Sequence, residues 1–156
     1  MCSSDLLGGA ITASGGAATG AGNNGGAGGV VTLNAANGSI LINAAIDVSG
    51  GTSALATQGN AGTVQLSTAG ATGAITQTGE TATTAILAKG GTTGSLAVVS
   101  ATGDVTLTND SNDVSKLAGN VVSTGKFLRY TDANALDIDT VTAAGTLVAP
   151  STTAAL

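Results

Sequence analysis

The chain has no histidine and no tryptophan, and its 156 residues include one cysteine, one proline, one phenylalanine and one tyrosine. Without histidine, imidazole acid–base catalysis and histidine metal sites are excluded. A single cysteine excludes internal disulfides and thiolate clusters. Charge is equally scarce. Asp, Glu, Lys and Arg make up 8% of the residues, against about 25% in ordinary soluble domains. Lys89, Lys116, Lys126 and Arg129 are the whole basic complement, and the net charge is -5. These cations make no electrostatic footprint for nucleic acid or anionic lipid. No apolar run approaches the roughly 20 residues of a membrane-spanning helix. The first residues lack the basic region and apolar run of a signal peptide.

What is present is small and aliphatic. Hydrophobic residues make up 42% and there are 25 glycines. Mean hydropathy is +0.39. Disorder goes with low hydrophobicity and high net charge, so composition argues for a packed chain. Its polar surface must come mainly from Thr, Ser, Asn and Gly. Such residues suit a core of many thin, similar layers.

A repeat lies under the glycine. ITASGGAATGAGNNGGAGGVVTL, Ile11 to Leu33, aligns with IDVSGGTSALATQGNAGTVQL, Ile46 to Leu66. Both read I-x-x-S-G-G, small residues, G-N, then G-x-V-x-L. The first Ile recurs after 35 positions (Ile11, Ile46) and the V-x-L after 33 (Val31, Val64). The glycine-rich stretch is therefore expected to be a connecting part of a structural repeat; the competing reading of residues 14–28 is a flexible tether.

A shorter pattern runs further. GVVTLN, GSILIN, GTVQLS, GAITQT, GSLAVV, GDVTLT and GTLVAP each set a glycine before a brief apolar segment. Val31/Leu33, Ile40/Ile42, Val64/Leu66 and Val105/Leu107 alternate with period two, the signature of strand. Glycine and threonine at this density disfavour helix. Asn37-Gly38 is a turn signal. The chain reads as all-β. A parallel β-helix is expected, each coil of roughly 20–30 residues adding about 4.8 Å of length. The alternative is an antiparallel β-sandwich or barrel. Asn34, Asn43 and Asn109 each follow a strand, where side-chain amides can bond along the stack.

The segments GGVVTLNAANGSILINAAIDVSGG, GAITQTG and NDVSKLAGNVVSTGKFLRYTDANALDIDTV resemble the repeat regions of large bacterial exoproteins of the filamentous haemagglutinin type, exported by two-partner secretion. The resemblance covers about residues 9–148, and YTDANALDIDTV (130–141) is its most specific piece. It implies a right-handed β-helical rod at the surface of a Gram-negative bacterium. It implies adhesion to glycans or proteins of host or neighbouring cells, and an outer-membrane transporter as partner during export. The family's N-terminal secretion module has no counterpart here, so the export route rests on analogy alone.

The opening MCSSDL resembles a translated sequencing adapter. Residues 1–6 are expected to be a non-native scar, 7–149 one continuous solenoid without recognisable caps, and 150–156 a truncated tail. On that reading Cys2 and Asp5 are not native.

Few residues could carry chemistry. With Leu136 and Ile138 inward, Asp137 and Asp139 face outward, Cα atoms about 6.5–7 Å apart. Such a pair can serve glycoside hydrolysis or bind Ca2+ with further oxygens. TNDSNDV (108–114) gathers Asn109, Asp110, Asn112 and Asp113, an oxygen-rich set that is equally a polar turn. Asp110, Asp113, Asp137 and Asp139 are thus the candidate metal ligands. KFLRYTD (126–132) holds both aromatics and two of the cations. Phe127, Arg129 and Tyr130 are the candidate ligand surface; the bland alternative puts Phe127 in the core and Arg129 on Asp132. Asn37-Gly-Ser39 and Asn109-Asp-Ser111 match glycosylation sequons. The reading is a non-catalytic adhesin shaft with no cofactor. Two alternatives stand: a carbohydrate-active β-helix using Asp137 and Asp139, and a passive matrix or surface-layer repeat.

Overall fold

The alternating segments become strands whose apolar positions stack on one another. The computed structural model describes residues 5–91, 94–142 and 153–154. Val31, Val64, Leu96 and Leu117 occupy one register column, and Leu33, Leu66 and Val98 another. Ile40, Ile75, Val105 and Leu128 form a third. These columns make one aliphatic core, with Ile42, Ile46, Leu66, Ile75, Ile86, Leu96 and Leu107 fully buried.

Three parallel sheets hold these columns. The first contains β1 (Asp5–Leu7), β4 (Ile40–Ile42), β7 (Ile75–Gln77), β10 (Val105–Leu107) and β12 (Leu128–Tyr130). The second contains β2 (Ile11–Thr12), β5 (Ile46–Asp47) and β8 (Ile86–Leu87), extended by a bridge from Leu87 to Asp113. The third contains β3 (Val30–Ala35), β6 (Thr63–Thr68), β9 (Ser95–Ser100), β11 (Lys116–Val121) and β13 (Asp137–Ile138). The chain visits the sheets in the same order through β11, and the last turn passes from β12 to β13 without a strand in the second sheet. Helix is limited to one 3-10 turn, Ala82–Thr84, among the described residues. The fold is all-β with parallel sheets, compatible with a β-helix, and the antiparallel sandwich is set aside. The one antiparallel pair among the described residues joins β14 (Val141–Thr142) to β15 (Thr153–Ala154).

Successive turns are unequal. In the first sheet one position recurs after 35, 35, 30 and 23 residues (Asp5, Ile40, Ile75, Val105, Leu128). The first two turns therefore exceed the expected length. The excess lies between the second and third sheets, in the glycine-rich connections. These double back on themselves. Gly26 N–H donates to Gly16 O at 2.9 Å and Gly29 N–H to Ala13 O at 2.7 Å within the first turn; Gly59 N–H to Gly51 O at 2.9 Å and Gly62 N–H to Val48 O at 2.8 Å repeat this in the second. Bonds also run between turns, from Gly15 N–H to Ser49 O and from Gly28 N–H to Asn60 O, each 2.8 Å. A Cβ at Gly15, Gly25, Gly51 or Gly59 would sit 1.9–2.0 Å from a carbonyl oxygen of the facing strand. Glycine is here because two backbones approach more closely than any side chain allows. The connection is an ordered double layer, which overturns the tether reading of residues 14–28.

The outer face of the third sheet is also covered at its middle. Ala97, Val99 and Ala118 form a second apolar cluster with Val141 of β14. Beside them Gln65 is fully buried; its Oε1 accepts from Thr32 Oγ1 at 3.1 Å, and its Nε2 has no partner among the described residues. β1 uses Asp5 and Leu6 from the expected scar, in register with Ile40 and Leu41. Of the expected 150–156 tail, Thr153 and Ala154 are described, as β15. Residues 1–4, 143–152 and 155–156, and with them Cys2, lie outside the described residues.

Candidate functional site

Alternation along β12 sets the exposed patch. Leu128 and Tyr130 turn toward the core, and Phe127 and Arg129 turn to solvent. Phe127 is 39% exposed. The Arg129 guanidinium lies over its ring, 4.5 Å from the centroid, a cation–π contact. Beside it Lys126 pairs with Asp104 at 3.5 Å, and Asp104 also accepts from the Phe127 N–H at 3.3 Å. The alternative with Phe127 in the core and Arg129 on Asp132 is therefore corrected. Alternation turns Leu128 and Tyr130 inward and therefore Phe127 outward, and Asp132 is bonded by the Tyr130 hydroxyl and by backbone N–H groups.

Tyr130, expected on the ligand surface, stands behind this patch. Its hydroxyl donates to Asp132 Oδ2 at 2.7 Å. Burial pushes its pKa well above that of an ordinary phenol, and the hydrogen bond and charge of Asp132, then the charge of Asp113, push the same way. Asp132 also accepts from the N–H groups of Val114 (3.1 Å) and Asn134 (2.9 Å). It fastens the last turn to the one before.

The candidate acids do not converge. Asp137 lies opposite Lys116 in the register of β13 and β11. Lys116 Nζ bonds Asp139 Oδ2 at 2.8 Å. That bond, the Thr140 N–H and the lysine charge hold Asp139 below the ordinary carboxylate range. A carboxyl so held is ill-suited to donate a proton. Leu136 packs against the core, while Ile138 remains 48% exposed at the edge of the third sheet. Asp113 is taken by Lys89 at 3.0 Å and by Asn134 Nδ2 at 3.0 Å, and Asp110 is exposed. Among the described residues no three His, Cys, Asp or Glu side chains group as a metal site.

The amides of the same loop point inward instead. Asn112 Nδ2 donates to Gln77 Oε1 (3.0 Å), Leu107 O (3.3 Å) and Thr131 O (3.2 Å). Its Oδ1 accepts from Gln77 Nε2 (2.8 Å) and Ile86 N–H (2.9 Å). Asn109 Nδ2 donates to Thr81 O and Thr84 Oγ1, each at 2.8 Å. The network is buried and ties three successive turns together. Of the three amides expected to bond along the stack, Asn109 bonds Thr81 and Thr84 of the preceding turn, Asn34 accepts from Ser67 Oγ of the next, and Asn43 is exposed. The amide-to-amide pair is Asn112 with Gln77. The sequon at Asn109 is closed off by its burial, whereas Asn37 is exposed on the β3–β4 turn.

A cavity of about 340 Å³ opens beside the first turn, lined by Leu6, Leu7, Thr32, Leu33, Asn34 and Ile40. Its lining among the described residues is aliphatic apart from Thr32 and Asn34. No helix among the described residues is long and apolar enough to cross a membrane. Searches of protein-family models, curated proteins and solved structures found no match to this chain.

Proposed function

We propose that the chain is a non-catalytic shaft segment of a large secreted bacterial surface adhesin, a right-handed parallel β-helix working by length, stiffness and repeated weak contact. The observation that carries this reading is the ordered return of the chain to three parallel sheets. Ladders of Val, Ile and Leu run through all of them. Such stacking gives a rod whose length grows by about 4.8 Å per turn. The described acids sit in ion pairs, turns or open solvent, which favours a structural role over hydrolysis. Phe127 with Arg129 is the part of this surface suited to a glycan: a ring face and a planar donor side by side. The cell surface of a Gram-negative bacterium follows from the same reading.

The test is adhesion in multivalent form. The chain is coupled to beads and scored against eukaryotic cells and bacterial lawns, with and without periodate oxidation of surface glycans. Saturable adhesion that falls with Phe127→Ala and Arg129→Ala supports the proposal. Adhesion no greater than that of albumin-coated beads refutes it and leaves the passive matrix repeat.

A further inference from the structure

The sequence holds two Asn-Gly steps, Asn24-Gly25 and Asn37-Gly38, and the fold treats them oppositely. Asn-Gly is the step most open to succinimide closure, because glycine leaves the following backbone nitrogen unshielded. Closure needs that N–H free and the Asn side chain able to swing onto it. At Asn24 both are held. Its Oδ1 accepts from Thr57 N–H at 3.3 Å, and Gly25 N–H donates to Thr57 O at 3.1 Å. The whole step is thereby laced to the glycine layer of the second turn.

At Asn37 neither is hydrogen-bonded among the described residues, and Gly38 is held only by packing, buried against Gly70 and Gly73. The side chain is exposed on the turn between β3 and β4. The flanks are fixed: β3 ends at Ala35, β4 begins at Ile40, and Ser39 Oγ donates to Thr72 O at 3.3 Å while accepting from Ala74 N–H at 3.0 Å. Gly38 adopts φ 133°, a conformation that other residues resist, so the step has no bulkier substitute at that position.

We infer that Asn37 is a site of spontaneous backbone-assisted deamidation in the folded protein, and that Asn24 is protected by the fold. Gly38 is buried beneath the exposed Asn37 side chain, so its N–H loses its proton to base only as the turn breathes, and the nitrogen then attacks Asn37 Cγ. A C–N bond forms, the bond from Cγ to the side-chain nitrogen breaks, and that nitrogen leaves as ammonia. Water then opens the succinimide at one carbonyl or the other, giving aspartate or isoaspartate. No oxidant or cofactor is needed. The isoaspartyl product lengthens the backbone at a turn packed on its neighbour: a Cβ on Gly70 would lie 2.7 Å from Gly38 N, and one on Gly73 2.5 Å from Gly38 O. The site is thus a slow chemical clock set into one corner of the stack.

The test is peptide mapping by mass spectrometry of the whole chain during incubation in mildly alkaline buffer, native and in urea. The expected native result is a one-dalton gain at Asn37 with isoaspartate present. Asn24, which must open locally before reacting, converts at least about tenfold more slowly. In urea the two rates converge. Asn37→Gln abolishes the native product and leaves Asn24 unchanged. Equal native rates at the two sites overturn the inference, as does faster conversion at Asn24. So does an unmodified Asn37 over a time in which the urea sample converts fully.

Discussion

Replacing Gly51 by alanine separates the double-layer account of the glycine arms from any account based on flexibility. The new Cβ would stand 2.0 Å from Gly16 O, more than an ångström inside ordinary contact, with no flexible side chain to yield. Gly51 does not have a left-handed φ, so alanine's backbone preference adds no strain of its own. The layers must part. Parting them stretches the bond from Gly51 N–H to Gly26 O (2.8 Å) and that from Gly59 N–H to Gly51 O (2.9 Å). Losing two such bonds in a buried setting costs about 2–5 kcal/mol. That is a large share of the roughly 5–15 kcal/mol of a typical domain. Gly16→Ala is the control, because a Cβ there meets nothing within 4 Å. It should be neutral or more stable by up to about 1 kcal/mol, since alanine restricts the unfolded chain. Urea unfolding followed by circular dichroism measures both. Gly51→Ala within about 0.5 kcal/mol of the parent, the range of ordinary surface changes, refutes the close approach.

Three further outcomes follow from the buried polar groups. Asn112→Ala removes the Asn112 partner of Ile86 N–H and of Thr131 O and one bond from each end of the Gln77 amide, while Leu107 O keeps the Thr131 N–H; urea unfolding should show a loss of at least about 2 kcal/mol, and a loss under about 1 kcal/mol contradicts the network. Gln65→Leu removes a buried Nε2 that has no partner among the described residues and one bond to an exposed Thr32; the melting temperature should hold or rise, and a loss above about 2 kcal/mol contradicts this reading of Gln65. Tyr130 has its pKa raised by burial and Asp132, so its stabilising effect is complete below about pH 10, where the unfolded phenol is neutral, and falls above it. Phenolate absorbance should appear only with unfolding, and Tyr130→Phe should flatten the stability loss above that pH.

The strands at Val31/Leu33, Ile40/Ile42, Val64/Leu66 and Val105/Leu107 were legible because each alternates inside a glycine-bounded segment. β2, β5 and β8 were not, since two residues carry no period. Gln77 was hidden too: it points into an apolar column, and the Asn112 that satisfies it lies 35 residues away. The repeat at I-x-x-S-G-G was visible, but the reason for its glycines was not, because the facing layer comes from elsewhere in the chain. Alternation separated Phe127 and Arg129 from Leu128 and Tyr130. It could not show that Lys116, 23 residues before Asp139, would hold that carboxylate. Hydrogen bonding in the turn decided what residue type could not: Asn109 and Asn112 face in, and Asp110 faces out.

The central claim is the register of the parallel stack, and spin labelling tests it most directly. In a Cys2→Ser background, nitroxides are attached at Thr76→Cys and Thr106→Cys, outward-facing register partners on β7 and β10. Strand spacing places their backbones about 4.8 Å apart. The account predicts strong dipolar broadening for this pair and sharp lines for Thr76→Cys with Asn120→Cys, which lie on different sheets. A Thr76/Thr106 spectrum equal to the sum of the two single labels would contradict the stack.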